Sequence, residues 1–190
     1  MNLRRISITG PESTGKSELA KQLASHFHTV WVPEYAREYL YALGRPYEYE
    51  DIALIARKQL EQENNLAKKA KKVLFCDTDF LVTKIWSLYK YGKCDPWIEE
   101  MAESHRYDLY LLCNTDLPWE DDPLREHPQQ RDELFRLYLK ELKSIHASFI
   151  LISGIGKQRS EKAISAVEMA FYSNRPHPLA PFPNGEGGIV

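Results

Sequence analysis

Eight residues near the N-terminus constrain the fold of this chain more than any other feature. They match the pattern G-x-x-x-x-G-K-[ST] and read Gly10-Pro11-Glu12-Ser13-Thr14-Gly15-Lys16-Ser17. A β-rich run at residues 4–9 predicts a strand before the pattern, and apolar residues at helical spacing from Leu19 to Ala24 predict a helix after it. Such a strand-loop-helix unit surrounds a phosphate with backbone N–H groups at the start of the helix.

This loop predicts that the chain binds ATP and Mg²⁺. The residues expected to bind the nucleotide are Gly10, Glu12, Ser13, Thr14, Gly15, Lys16 and Ser17. The glycines permit the backbone angles that turn N–H groups inward. Lys16 adds a positive charge, which also makes it a candidate catalytic residue, and the Ser17 hydroxyl is the candidate magnesium ligand on the first helical turn.

Short apolar segments alternate with longer helical patterns along the rest of the chain. The candidate strands lie at residues 4–9, 29–32, 73–76, 108–113 and 149–153. This alternation predicts an α/β chain of the P-loop NTPase type, a three-layer α/β/α fold with a five-stranded, mostly parallel sheet. We expect one domain over residues 1–173, followed by a disordered tail rich in Pro and Gly at residues 174–190.

Composition narrows the possible partners. The chain has 190 residues and a formal net charge of -2, which gives no electrostatic reason to expect a nucleic-acid partner. No apolar run approaches the roughly 20 residues that span a bilayer, so we expect a cytoplasmic protein without a membrane partner. The three cysteines lack metal or disulfide spacing, and nothing in the sequence specifies an oligomeric state.

Carboxylates follow two of the predicted strands, where ligands of doubly wound sheets bind. Asp77 ends an apolar strand and is the candidate second magnesium ligand, or alternatively a base. Asp79 is a candidate base as well, although it could simply cap the next helix. Glu34 is the first choice for the base that orients a nucleophile, with a salt-bridged surface helix as the alternative interpretation.

A stretch with three prolines at residues 115–130 predicts a functional lid rather than a regular element. With Arg131 it forms what we call the lid segment, residues 115–131. Arg125 lies within this stretch and Arg131 directly follows it, and both are candidates for neutralising charge on a phosphoryl group in transfer. Trp119 and Asp122 lie in the same segment and could contact a ribose or a base, although a surface turn explains them nearly as well.

In combination, these motifs resemble the ribosylnicotinamide kinase domain of the NadR family. The resemblance rests on the loop at residues 10–17, on Glu34-Tyr35-Ala36-Arg37-Glu38, on Asp77-Thr78-Asp79-Phe80 and on residues 119–125, and it extends over residues 3–155. It implies a fold like that of nucleoside kinases and ATP-dependent phosphorylation of the 5′-hydroxyl of a pyridine nucleoside. The residues that it implies for nucleoside binding are Glu34, Tyr35, Arg37, Asp79, Trp119 and Asp122.

One position departs from the family pattern. Pro33 stands where the resemblance leads us to expect a tryptophan that stacks on nicotinamide, and Trp31 lies two residues upstream on the same strand face. A kinase for another nucleoside or nucleotide is therefore an alternative, and so is an ATP-binding regulatory module that phosphorylates no acceptor. Family members carry adenylyltransferase and DNA-binding domains ahead of the kinase, and we expect neither activity here.

Overall fold

The computed structural model describes residues 2–172, and the predicted tail at 174–190 lies outside the described residues. Its five strands form one sheet. They are β1 (Arg4–Thr9), β2 (Trp31–Val32), β3 (Val73–Asp77), β4 (Leu109–Cys113) and β5 (Phe149–Ile152). The strand order is β2-β3-β1-β4-β5, and every neighbouring pair is parallel. The predicted sheet is thus confirmed and is parallel throughout.

Seven helices connect and cover the strands of residues 2–172. They are α1 (Lys16–His26), α2 (Tyr35–Leu43), α3 (Tyr49–Ala67), α4 (Phe80–Tyr91), α5 (Pro96–Ser104), α6 (Arg131–Ser144) and α7 (Lys157–Tyr172). None of these described helices is both long enough and apolar enough to cross a membrane. The predicted α/β fold is confirmed, because helices follow the strands along the chain as parallel connections require.

Two apolar cores lie on the two faces of the sheet. Val73 and Phe75 of β3 pack in the core that contains α1 and α7, whereas Leu74 and Cys76 pack in the core that contains α3 to α6. Successive strand residues point to opposite faces, so a strand buried on both faces has a continuous apolar sequence. This is the physical basis of the three-layer α/β/α arrangement.

The sheet brings the functional segments together at one edge. β1 lies at the centre, between β3 and β4, and the phosphate loop follows its carboxyl end directly. The acidic end of β3 and the start of the lid segment after β4 therefore flank the loop on either side. In parallel α/β sheets this edge is where ligands bind.

Candidate phosphate and acceptor site

The loop at residues 10–17 has the backbone conformation that its glycines allow. Gly10 has a φ of +128° and Gly15 a φ of +73°, while Ser13 also lies at positive φ. A Cβ atom on Gly10 would lie 2.8 Å from the backbone oxygen of Cys113 in β4. Glycine is thus required at position 10 both by its φ and by the close approach of the neighbouring strand.

Polar contacts inside the loop occupy its lysine, Lys16. The Lys16 ammonium group donates to the backbone oxygen of Pro11 at 2.7 Å, and the Thr14 hydroxyl donates to the same oxygen at 2.8 Å. Arg159 of α7, which is buried, donates to the backbone oxygen of Thr14 at 2.8 Å and to the Asp116 carboxylate at 2.8 Å. The sequence motifs gave no indication of this support from Arg159.

A cavity of about 550 Å³ opens over the loop. This volume falls within the range of small-molecule sites. Its walls include every residue of the loop, Glu34 and Arg37 of the α2 region, residues of α4 and α6, and seven residues of the lid segment, of which Arg125 is one. The structure therefore brings the predicted phosphate loop, one predicted base and one lid arginine to a single cavity.

Asp77 is buried at the end of β3 beside this cavity. No hydrogen bond of ordinary geometry reaches either of its carboxylate oxygens from the described residues. Burial and then the negative charge of Glu34 raise its pKa to about 6, whereas Ser17 and Lys16 act in the opposite direction. Protonation or a neighbouring cation offsets the cost of burying such a carboxylate, and Ser17, which acts on Asp77, is close enough to share a cation with it.

These two side chains fit the magnesium ion predicted for the site. Residues 2–172 contain no group of three or more His, Cys, Asp or Glu side chains that could hold a metal ion on their own. Mg²⁺ in phosphoryl-transfer sites takes only one or two protein oxygens and fills its other positions with phosphate oxygens and water. The Ser17 hydroxyl and the Asp77 carboxylate are oxygen donors of that kind.

Asp79 has a different environment from Asp77, although only Thr78 separates them. Thr78 has a positive φ of +83°, which is rare for a β-branched residue and rotates the chain between the two acids. The Asp79 carboxylate accepts a short hydrogen bond from the Ser7 hydroxyl and another from the backbone N–H of Val82 at 2.9 Å. It is buried and does not line the cavity, so these contacts favour helix capping over the predicted roles in catalysis and nucleoside binding.

Glu34 and Tyr35 face different surroundings. Glu34 occupies the N-cap position of α2 without a capping hydrogen bond from its side chain, and it lines the cavity. Tyr35 instead lines a separate, open hollow together with Trp31 and Pro33. Trp31 is therefore not placed to take over the stacking role of the missing tryptophan, and the nucleoside contact predicted for Tyr35 is not supported by its position.

The lid segment contains no helix or strand between β4 and α6 and extends over the loop. Arg125 lines the cavity and donates to the Ser13 hydroxyl at 3.3 Å. Arg131 is buried and donates to the backbone oxygens of Thr115 and Leu117 at 3.0 and 2.8 Å. Arg131 thus holds the start of the lid segment rather than reaching the cavity, contrary to the catalytic role predicted for it.

Two further lid residues predicted to bind the nucleoside lie outside the cavity lining. The Trp119 indole N–H donates to Asp121 at 2.8 Å. The Asp122 carboxylate pairs with Arg37 at 2.7 Å, which connects the lid segment to α2. The Leu124 backbone N–H, which hydrogen-bonds this carboxylate, lowers the pKa of Asp122, and Arg37 lowers it further.

The sequence motifs gave no indication of the apolar and aromatic wall of the cavity. Four of its residues lie on one face of α4, and they are Val82, Ile85, Trp86 and Tyr89. Their spacing of i, i+3, i+4 and i+7 is the spacing of one helical face and could have indicated them. Tyr47 and Tyr138 complete the wall, and the Trp86 indole N–H donates to the Tyr47 hydroxyl at 2.8 Å.

The fold and this site define a class: a P-loop α/β protein with a fold of the nucleoside and nucleotide kinase type. A family model described as an AAA domain matches residues 5–159. The chain belongs to this family of AAA domains.

The resemblance to NadR that the motifs predicted is confirmed. The trifunctional NAD biosynthesis/regulator protein NadR of Escherichia coli (strain K12) is 31% identical over 156 residues, which are 79% of this chain and 38% of that protein. NadR of Salmonella typhimurium is 32% identical over 154 residues, which are 78% of this chain and 38% of that protein. The chain therefore spans well under half the length of these relatives.

Solved structures with the same fold include NadR and a thymidylate kinase. A crystal structure of NadR in complex with NR superposes with a TM-score of 0.79 at 22% identity, covering 94% of this chain and 54% of that chain. Thymidylate kinase from Ehrlichia chaffeensis gives a TM-score of 0.62 at 13% identity, covering 90% of this chain and 100% of that chain. At these identities the likeness establishes the fold alone.

Proposed function

We propose that this protein transfers the γ-phosphoryl group of ATP to the 5′-hydroxyl of a nucleoside, and that ribosylnicotinamide is the acceptor. One observation carries the proposal. A single cavity joins the phosphate loop to a cavity-lining carboxylate, Glu34, and to an aromatic wall on α4. A protein that only hydrolysed ATP would have no need of an aromatic pocket opposite the phosphate site.

The loop forms the donor side of the proposed reaction. Lys16 must leave the Pro11 oxygen, 2.7 Å away, before its ammonium group can bind phosphate oxygens. This exchange replaces one neutral acceptor with charged ones, and hydrogen bonds between charged groups are the stronger kind. Ser17 and Asp77 would hold Mg²⁺, which neutralises charge on the phosphates when it is bound.

Glu34 is the proposed base on the acceptor side. Phosphoryl transfer to a hydroxyl needs a carboxylate that orients the nucleophile and accepts its proton. Glu34 lines the cavity, whereas Asp79 is buried in contacts with Ser7 and Val82. Asp77 is the remaining alternative base, but its position beside Ser17 and Lys16 suits metal binding better.

The aromatic wall is the proposed pocket for the acceptor base. Trp86, Tyr47 and Tyr89 present aromatic surface to the cavity, and flat heteroaromatic rings bind such surface by stacking. The wall belongs to α4 and the segment before α3, so it does not depend on the position that Pro33 occupies. A pyridine nucleoside could therefore bind here without the tryptophan that Pro33 replaces. The known relatives support this choice, since they are NAD biosynthesis proteins and one NadR structure contains NR.

The test is a panel of nucleosides assayed for ADP release with ATP and Mg²⁺, with the product identified as a 5′-monophosphate by mass spectrometry. We expect turnover to depend on the acceptor and to be highest with ribosylnicotinamide. If another nucleoside gives a higher kcat/KM, that nucleoside is the preferred acceptor and the proposed kinase activity still stands. ATP hydrolysis that no nucleoside stimulates would instead support a regulatory module.

Two variants locate the chemistry within this assay. Lys16→Ala should abolish most ATP binding while the protein remains folded. Glu34→Gln should leave ATP binding near normal but lower kcat by about 10²–10⁴, the usual contribution of a general base. Glu38→Gln is the matched control, because Glu38 is exposed one turn further along α2 and does not line the cavity. If Glu34→Gln retains turnover within a few-fold, the base lies elsewhere.

A further inference from the structure

Two side chains of the phosphate loop contact the lid segment. The Glu12 carboxylate accepts hydrogen bonds from the backbone N–H groups of Glu126 and His127 at 3.0 and 3.1 Å. The His127 imidazole lies 3.4 Å from the other oxygen of the same carboxylate. Glu12 therefore uses both of its oxygens on the lid segment, although we expected it to help bind the nucleotide.

Ser13 adds a second contact to the same segment. Its hydroxyl, which is buried, accepts from the backbone N–H of Glu120 at 2.9 Å and from the Arg125 guanidinium at 3.3 Å. Arg125 also donates to the backbone oxygen of Glu120. The loop thus holds the lid segment on both sides of Arg125 in sequence and contacts the guanidinium directly.

Other anchors of the lid segment join it to the far wall of the cavity and to α2. The Glu126 carboxylate accepts from the Tyr47 hydroxyl at 2.5 Å and from Lys90 at 2.6 Å, and Asp122 pairs with Arg37. These contacts attach the lid segment to the aromatic wall of the cavity and to α2. Arg159 bridges the Thr14 backbone oxygen of the loop and Asp116 at the start of the lid segment, whereas Glu12 and Ser13 hydrogen-bond directly to the part of the lid segment around Arg125.

We propose that Glu12 is a positioning residue for phosphoryl transfer, which holds the lid segment on the phosphate loop and so fixes Arg125 over the phosphates. This inference rests on the proposed function, in which Arg125 neutralises the transferred group. Glu12 acts through its hydrogen bonds to two backbone N–H groups and not through contact with a ligand. A carboxylate that accepts N–H groups forms charge-assisted hydrogen bonds, which are among the stronger ones in proteins.

Hydrogen exchange tests the contact itself without any substrate. In the full chain, Glu12→Ala should raise the amide exchange rates of Glu126 and His127 at least about tenfold, because each amide loses its acceptor. The Leu124 amide, which bonds to Asp122 at 2.9 Å, should be unchanged and serves as an internal reference. In Glu12→Gln the exchange rates of these two amides should stay near the wild-type rates, since the side-chain amide oxygen can accept both N–H groups. Unchanged exchange in Glu12→Ala would overturn the proposal.

Kinetics test the role of the contact. Glu12→Ala should lower kcat at least tenfold with little change in the KM for the acceptor. It should also increase the fraction of ATP that is hydrolysed by water. Glu12→Gln should retain most of the wild-type activity. Glu61→Gln, an exposed change on α3, is the control for loss of a surface charge. If Glu12→Gln is as impaired as Glu12→Ala while its amide exchange is normal, Glu12 acts by its charge on a ligand and the proposal is wrong.

A double-mutant cycle connects Glu12 to Arg125. If Glu12 acts through Arg125, Glu12→Ala should cost much less in kcat when Arg125 is already alanine, whereas independent effects would multiply. Multiplicative losses would overturn the positioning role. A wild-type protein that phosphorylates no nucleoside would defeat the proposed function, and the exchange measurements would still decide whether Glu12 holds the lid segment.

Discussion

Replacing Asp77 with asparagine tests the electrostatics of the site without any ligand. The Asp77 carboxylate is buried, makes no hydrogen bond of ordinary geometry with the described residues and faces the charge of Glu34. Asn is nearly isosteric with Asp but cannot ionise. We therefore expect Asp77→Asn to stabilise the ligand-free protein at pH 7, although most substitutions of buried polar residues destabilise.

The size of the effect follows from the pKa. Burial and the charge of Glu34 raise the pKa of Asp77 from an ordinary value of 3.8 to about 6. Because the folded-state pKa is the higher one, the favourable contribution of the protonated group is complete below the unfolded-state pKa and is lost as the pH rises through about 6. At pH 7 both states are ionised, and the cost of the buried charge is about 3 kcal/mol.

Thermal unfolding as a function of pH measures this cost. For a chain of this length each kcal/mol shifts the Tm by about 2–4 °C, so Asp77→Asn should raise the Tm by roughly 6–12 °C at pH 7. The gain should shrink to well under 1 kcal/mol near pH 4, where both proteins are largely neutral at this position. Glu103→Gln, at an exposed carboxylate of α5, is the control for the change in net charge.

Mg²⁺ provides the second arm of the experiment. The stabilisation that Mg²⁺ adds to nucleotide-bound wild type should be reduced in Asp77→Asn, because the variant loses the anionic metal ligand. A variant that is less stable than wild type at pH 7, or equally stabilised at pH 4 and pH 7, would refute the assignment of a buried and uncompensated charge.

Two further substitutions test why particular residues occupy the carboxyl ends of the strands. Gly10→Ala should lower the free energy of unfolding, measured with urea, by at least about 2 kcal/mol, because the new Cβ would lie 2.8 Å from the Cys113 backbone and the φ is unfavourable for alanine. Gly44→Ala is the control and should lose less, because a Cβ there meets nothing within 4 Å. Asp79→Ala should cost about 2–4 kcal/mol by losing the α4 cap and leaving Ser7 unpaired, with ATP affinity by calorimetry within a few-fold of wild type. A stable Asp79→Ala variant without turnover would restore Asp79 as the base.

The sequence was sufficient to predict the features that depend on local chemistry. The loop pattern at residues 10–17 predicted a strand before it and a helix after it, and β1 and α1 lie in those places. The pattern is informative because the loop needs backbone angles that only certain residues allow, such as the positive φ at Gly10 and Gly15. The alternation of strand-like and helical segments predicted the layers, because a strand buried on both faces must be apolar throughout.

The roles of individual polar side chains depended on contacts far apart in sequence. Asp77 and Asp79 are equivalent as a sequence pattern, and only the turn at Thr78 and the hydroxyl of Ser7 separate their environments. Arg125 and Arg131 are equally plausible lid arginines, yet Arg131 is buried against the backbone of residues 115–117. Tertiary hydrogen bonds of this kind leave no periodicity in the sequence.

The backbone and the side chains of the phosphate loop have different functions. This difference explains which positions of the loop the general pattern does not specify. The pattern fixes the glycines, the lysine and the hydroxyl residue, which shape the loop and bind the charged ligand. At two of the variable positions of this chain, Glu12 and Ser13, the side chains hydrogen-bond to the lid segment. A ligand that stiffens the loop would therefore stiffen the contacts of Arg125 as well, because the same residues contribute to both. The variable positions of the loop are thus where proteins with the same phosphate-binding backbone can differ in how they attach a lid.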